Sequence, residues 1–460
     1  MSAIINNKFR TFNADNFISS IGTNGVYLLI GKNDEWSGPS RGEYIATTPS
    51  DTIIPIPIDT DISSAKHWDD VIAAKKIISS NVSHVIKRVD WTSGTAYDAY
   101  SDDVEDQIGK DFFVFSEPSF NVYKCIDNGS GGSTKVGAPV STVEPTGEGT
   151  GLISSGEVGA GGDGYVWKFM FQVQQADVLK FVTTDWLPVN SPATDNQLDQ
   201  RAVETAAEDG KLEYIRVTNG GTGYIDDNGN VAGATDNTIT LASTASAVNG
   251  TYDNMNVYIT TGTGVGQLRT ISTYVGATKV ATLSSNWTTN PSASDSVYSV
   301  APAVTVSSGV NGGGATARVK TITGGVIKKL DVVNKGTDYR IATATITGGA
   351  GVNAAVIPVI SPIGGHGKNP VTELGGAYVM LNTRLIGNDG TDFPVNDDFR
   401  KVHLVVNPRV SATGNAIASE NTYSKSELKQ DSGQIIYSEF RAPINRAPDS
   451  TEDIKLVVEF

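Results

Sequence analysis

Gly159, Gly161 and Gly164 stand in the GxGxxG order that lets a backbone close around a pyrophosphate. That chemistry needs a strand before the glycines and a helix after them, so that the helix N-terminus meets the phosphate. Here a loop precedes, and the segment that follows, Gly162–Val173 (GDGYVWKFMFQV), alternates as a strand. The glycines therefore read as a structural turn. Asp226-Asp-Asn-Gly-Asn230 has the flavour of a calcium loop, but it lacks the spaced carboxylates and the closing bidentate Glu. It reads as an Asx-rich turn. His67, His84, His366 and His403 never fall at HxH or HExxH spacing. Only His366, in Gly364-Gly-His-Gly-Lys-Asn-Pro370, is flanked by flexible backbone, and a turn histidine bonded to backbone is expected there. Cys125 has no base beside it in sequence, and a single thiol excludes both an internal disulfide framework and a four-thiolate zinc site. No carboxylate pair is singled out by its surroundings, so general acid–base catalysis has no support. The residues predict no catalytic, cofactor-binding or metal site, and the chain reads as a non-enzyme.

The same stretch that dismisses the nucleotide motif carries the strongest structural signal. After the Gly-Asp-Gly turn, Tyr165, Trp167, Phe169, Phe171 and Val173 fall on one face of a strand, and Val166, Lys168, Met170 and Gln172 on the other. Each aromatic can bury roughly 150–250 Å². So much apolar area on one strand anchors a sheet core or a subunit contact.

The wider composition agrees. The 460 residues are 39% hydrophobic and only 18% charged, with 49 Gly. Thr, Val and Ile alternate with polar residues, a mix that suits short strands joined by tight turns. The expected fold class is mainly β: a β-sandwich core with a few short helices and an inserted all-β module. The formal charge of −15 repels phosphate backbones, so nucleic acid is not expected as a partner. No window approaches the ~18 apolar residues of a membrane span, so no membrane insertion is expected either. The stretch MSAIINNKFRTF has polar and basic residues where a secretion signal needs an apolar run, so none is expected there.

Three segments are expected. Residues 1–208 mix helix and strand: a short helix at Ala14–Ile21, a strand at Val26–Ile30, a helix from Ser63 through Ile78 and strands at Asp111–Phe115 and Asn121–Ile126. Helical spacing of Trp68, Val71, Ile72, Lys75 and Ile78 supports the second helix, with Ser63 or Ser64 as its cap. Residues 128–164 read as a long surface loop. In 209–362 aromatics thin out, and Gly and Thr dominate an inserted module. Within it, Leu212, Ile215, Val217, Asn219, Gly221, Thr222 and Tyr224 correspond to Ile327, Leu330, Val332, Asn334, Gly336, Thr337 and Tyr339, an offset of 115 (224 to 339). Strands are expected between the copies at Met255–Ile259, Arg269–Tyr274 and Lys279–Leu283. In 363–460, Val402, Leu404 and Val406 alternate, and Ile454, Leu456, Val458 and Phe460 share a face, completing sheets begun earlier.

Four blocks in order resemble a known family: Lys8-Phe-Arg-Thr11 with Asn16–Gly22 and the Tyr27–Trp36 region; Arg88-Val-Asp-Trp91; Tyr123–Asp127 with Gly162–Trp167; and Phe399-Arg, Asn407-Pro408, Ser432–Tyr437, Arg441-Ala-Pro443 and the Glu452–Leu456 strand. They are similar to the baseplate wedge subunit of T-even-type contractile-tailed bacteriophages, the one that is a dimer in each wedge. The middle, 209–362, has no counterpart in that pattern. The resemblance implies a structural virion protein of the tail baseplate, assembled in the host cytoplasm. It implies a homodimer that contacts other wedge and peripheral tail proteins, with no cofactor. Trp91, Tyr437 and Phe460 then join Tyr165, Trp167, Phe169 and Phe171 as core or interface candidates. The alternative is a tail-associated adhesin whose 209–362 module binds host-surface polysaccharide, with Tyr224, Trp287 and Tyr339 exposed to stack on sugars.

Overall fold

A computed structural model describes residues 6–32, 68, 71–104, 107, 109–157, 161–309, 311–385, 398–417, 422–445 and 452–460. The fold is mainly β, built from antiparallel sheets with few helices. The chain forms two units: residues 1–87, 175–190 and 375–460 in the first, and 88–174 with 191–374 in the second. Among the described residues no helix is long and apolar enough to cross a membrane.

The first unit is a sandwich. A five-stranded sheet has Val26–Lys32 at its centre, flanked by Val71–Lys76 and Asp398–Val406, with Thr422–Ser424 and Gln434–Asn445 at its edges. A four-stranded sheet runs Glu452–Glu459, Tyr378–Leu385, Val82–Lys87, Trp186–Val189. Leu28, Ile30 and Leu404 from the first sheet share a core with Leu381, Leu456 and Val458 from the second. The Asn7–Thr23 helix adds Ala14, Phe17, Ile18 and Ile21, the one-sided i, i+3, i+4, i+7 stripe that a helix buries. It starts earlier than its apolar residues suggest, because the Asn6 side chain caps it by accepting from Phe9 N at 3.0 Å.

The helix expected through Ile78 is overturned: Val71–Lys76 is a strand. Ile72 and Ala73 pack into one core and Val71 and Ala74 into another, so a strand covered on both faces imitated helical spacing. Its proposed caps, Ser63 and Ser64, lie outside the described residues, as does Trp36.

The second unit holds a four-stranded sheet in the order Phe113–Ser116, Asn121–Asp127, Val166–Gln172, Leu152–Ser154. It also holds a ten-stranded sheet and the pair Leu212–Thr222 with Val352–Ile360. Strands occupy Met255–Thr261, Leu268–Val275 and Val280–Leu283, close to where alternation put them. The Asx-rich turn expected at Asp226–Asn230 is instead a strand over Asp227–Asn230, paired with Val297–Val300, and its Asp227 Oδ2 accepts from Tyr298 OH at 2.6 Å. The 128–164 loop is largely irregular, but Leu152–Ser154 adds to the sheet edge against Val166–Lys168.

Candidate functional site

The sheet centred on Val166–Gln172 is buried on both sides, and the two sides differ in chemistry. On one, Tyr97, Tyr123, Tyr165, Trp167 and Phe169 pack with Val114 and Val203. Tyr165 stacks on Trp167 at 5.3 Å between ring centroids, Tyr97 meets Trp167 edge-on at 5.9 Å, and Tyr123 meets Phe169 at 5.9 Å. Offset and edge-on pairs suit the ring quadrupole and add to what burial alone supplies. The hydroxyls are not wasted: Tyr165 OH donates to Pro139 O (2.8 Å), and Tyr97 OH donates to Asp90 O (3.1 Å). Trp167 Nε1 has no hydrogen-bond partner among the described residues. Trp91 lies half-buried at the margin of this cluster, its Nε1 donating to Ser141 Oγ at 3.0 Å.

Asp163, from the Gly-Asp-Gly turn, ties the preceding loop to this face. It accepts from Ser141 Oγ (3.0 Å), Thr142 N (2.8 Å), Val143 N (2.9 Å), Tyr165 N (3.0 Å) and Ser155 Oγ. Burial works to raise its carboxyl pKa, but the bonds from Ser155, Val143, Tyr165 and Thr142 together hold it below the usual value. The GxGxxG glycines thus act in a turn. Gly161 and Gly164 have positive φ (90° and 84°), and Gly162 lies so close to Gly156 that a Cβ would clash with its backbone. Gly159 lies outside the described residues.

On the opposite side the ladder sets Lys124 directly across from Lys168. Like charges facing each other destabilise a sheet unless each finds its own partner. Lys124 Nζ donates to Glu373 Oε2 at 3.0 Å, lies 3.1 Å from His366 Nδ1 and sits 3.9 Å from the Tyr100 ring centroid. Lys168 Nζ donates to Thr150 O. Both ammonium pKa values are lowered, by burial first. His366 is held well below the ordinary imidazole range by burial and then by Lys124, Lys168, Lys335 and Arg216. Its Nε2 has no partner among the described residues, and its Nδ1 faces an ammonium rather than the backbone carbonyl or amide expected from its turn. Nearby, Arg216 donates from Nε to Ile126 O (3.0 Å) and from Nη2 to Tyr100 O.

A lysine, a glutamate and a histidine in contact are the parts of a proton-transfer site. Here Lys124 is 0%, His366 2% and the Glu373 side chain 6% exposed, so substrate has no approach to them. What the arrangement can do is clamp the 364–373 segment onto the sheet. Cys125 is likewise fully buried, and burial pushes its thiol pKa well up, away from the reactive thiolate. Among the described residues no three His, Cys, Asp or Glu side chains group as metal ligands.

Of the remaining candidates, one belongs to the second unit and two to the first. Phe171 is 1% exposed in the second unit. Tyr437 and Phe460 pack half-buried against the sandwich core of the first, where Phe460 meets Phe17 at 5.2 Å and its carbonyl accepts from Arg10 Nε at 2.6 Å. Tyr224, Trp287 and Tyr339 do not stand out to stack on sugars: they are 6%, 6% and 1% exposed. Sequence reasoning missed Lys124, Glu373 and Arg216. The signal was a lysine inside each of two otherwise apolar strands, VYKCI and VWKFMF.

Comparison with known proteins bears on the chain's two ends. Residues 3–136 and 379–460 match a family model described as Bacteriophage T4, Gp8. Over 217 residues the chain is 24% identical to baseplate wedge protein gp8 of Enterobacteria phage T4, an alignment that takes in 41% of this chain. It spans 61% of that relative's length. The resemblance read from the sequence, to a baseplate wedge subunit, is supported by both matches.

Proposed function

With baseplate wedge protein gp8 as its relative, we propose that this chain works as a dimeric wedge subunit, joining neighbouring wedge proteins as a tail baseplate assembles and rearranges. At the coarser level it is a structural protein of the virion's tail baseplate. The observation that carries the reading is the family match over both outer segments, which together supply most of the sandwich unit. The buried aromatic face and the clamped lysine pair support it, because a part that moves as a body needs a core with few alternative packings. Large obligate interfaces, typically ~2,000 Å² or more, would join it to its sister copy and its neighbours. The 209–362 segment serves in this reading as an accessory module. Sedimentation of the purified chain, and co-expression with the other wedge proteins of the same phage, provide the test. A dimer and co-purification in fixed stoichiometry are expected; a monomer at high concentration that captures no wedge protein would sink the proposal.

A further inference from the structure

We infer that residues 226–301 are a self-contained β module grafted into one turn of a duplicated three-stranded unit, and that the duplicated unit keeps its fold without them. Two strand pairs carry the duplication. In one, Val352, Ala354, Ala355 and Val356 face Thr222, Gly220, Asn219 and Val217; in the other, Gly313, Ala315, Thr316 and Ala317 face Thr337, Lys335, Asn334 and Val332. The register slips at the same step in both, between Ala355 and Val356 and between Thr316 and Ala317. Fold-back details repeat as well. Gly221 and Gly336 have φ of 62° and 63°, and each N–H donates to the Asn side chain two residues before it at 2.9 Å. Tyr224 OH accepts from Ala354 N and Tyr339 OH from Ala315 N.

The copies are related by a two-fold exchange. Tyr224 N donates to Gly325 O at 3.0 Å and Tyr339 N to Gly210 O at 2.9 Å, which is one bond with its partners swapped. Strand Ala342–Thr347 pairs with Val297–Ser308 so that Ala303 faces Thr347 and Ser308 faces Ala342, again one pair exchanged for its equivalent. Reciprocity of this kind is the mark of an isologous contact, here made within one chain.

The sequence spacing of the copies differs by element. Leu212–Thr222 is related to Val326–Thr337 by 115 positions (224 to 339), whereas the other two strands are related by 39 (303 to 342, 315 to 354). The mismatch lies in a single place. One copy passes from Tyr339 to Ala342 through Arg340 and Ile341; the other passes from Tyr224 to Ala303 through Ile225, residues 226–301 and Pro302. The graft leaves and returns at one point: a Cβ on Gly349 would lie 2.6 Å from Pro302 Cγ and 3.5 Å from Ile225 O. The outgoing strand Asp227–Asn230 pairs antiparallel with the returning Val297–Val300. Between them the module has its own closed core, with Ile239, Met255, Ile259, Ile271, Trp287 and Tyr298 buried together and no buried member from the duplicated strands. Arg318 over the Tyr258 ring at 4.2 Å links module and host at the junction.

Two measurements, one on a deleted chain and one on the intact chain, test the inference. Deleting residues 226–301, so that Ile225 joins Pro302, should give a soluble chain whose amides in 212–222 and 326–337 keep their hydrogen-exchange protection. Trp287→Ala in the intact chain should cut protection in 231–300 at least about tenfold while leaving those two strands unchanged, as expected when cooperative units open separately. If the deleted chain fails to stay soluble, the Trp287→Ala exchange pattern decides. Loss of protection in module and host together would overturn the inference.

Discussion

Replacing Trp167 by Ala should destabilise the second unit by about 3–5 kcal/mol, the usual cost of emptying a large aromatic site. The structure supplies the terms. Trp167 is fully buried, with Tyr165 stacked on one side and Tyr97 edge-on. An indole burying roughly 150–250 Å² is worth about 4–6 kcal/mol at ~25 cal/mol/Å². The unpartnered Nε1 subtracts from that, since a buried donor without an acceptor costs about 1–3 kcal/mol. Trp167→Phe separates the two contributions: it loses volume but removes the orphan N–H, so it should cost no more than half of the Ala substitution. The assay is calorimetric and near-ultraviolet dichroism melting, where about 2–4 °C per kcal/mol is expected for a domain of this size. A Trp167→Ala protein that melts within about 2 °C of the parent would refute the packing argument.

Other outcomes follow from the charged side and from the turns. Lys124→Met should cost about 3–5 kcal/mol by leaving Glu373 buried without its cation, and pairing it with Glu373→Leu should recover much of the loss. His366 stays neutral in the folded chain and takes up a proton on unfolding, so its contribution is full above ~6.5 and falls as pH drops below that value. His366→Gln should flatten the stability slope between about pH 5 and 6.5, read by denaturant melts. Asp163 acts lower on the scale: its depressed carboxyl pKa gives stability that is present above ~3.9 and lost below it, so Asp163→Asn should remove part of the acid sensitivity. Gly336→Ala should cost clearly more than Gly266→Ala in thermal melts. Both have positive φ, but a Cβ at 336 would meet Gly313 O at 2.5 Å, whereas nothing lies within 4 Å at 266.

The aromatic strand was legible because a period of two survives in a single sequence, and both ends were legible because family motifs are concentrated there. Lys168 was not understood, because alternation assigns it to a polar face without saying whether that face meets water. Only the fold shows that the same sheet is covered on both sides. Val71–Lys76 failed for the mirror-image reason: apolar residues on both faces of a central strand fit helical spacing by coincidence. The two Asn-x-Gly-Thr-x-Tyr copies stood out, yet the shorter spacing of their partner strands did not. The residues shared there, such as Ala315 with Ala354 and Gly312 with Gly351, are small and few.

The sandwich unit is threaded from three stretches of chain, the last running to Phe460. Its central strand Val26–Lys32 needs Asp398–Val406 beside it, and the Asn7–Thr23 helix needs Phe460 against Phe17. During synthesis at about 5–20 residues per second, the N-terminal apolar strands are therefore left without their C-terminal neighbours for roughly 20–80 s, whereas every segment of the second unit is available once residue 374 has emerged. A ribosome stalled shortly after that point should carry one protease-resistant unit and a vulnerable leader, and chaperone demand should fall on the leader.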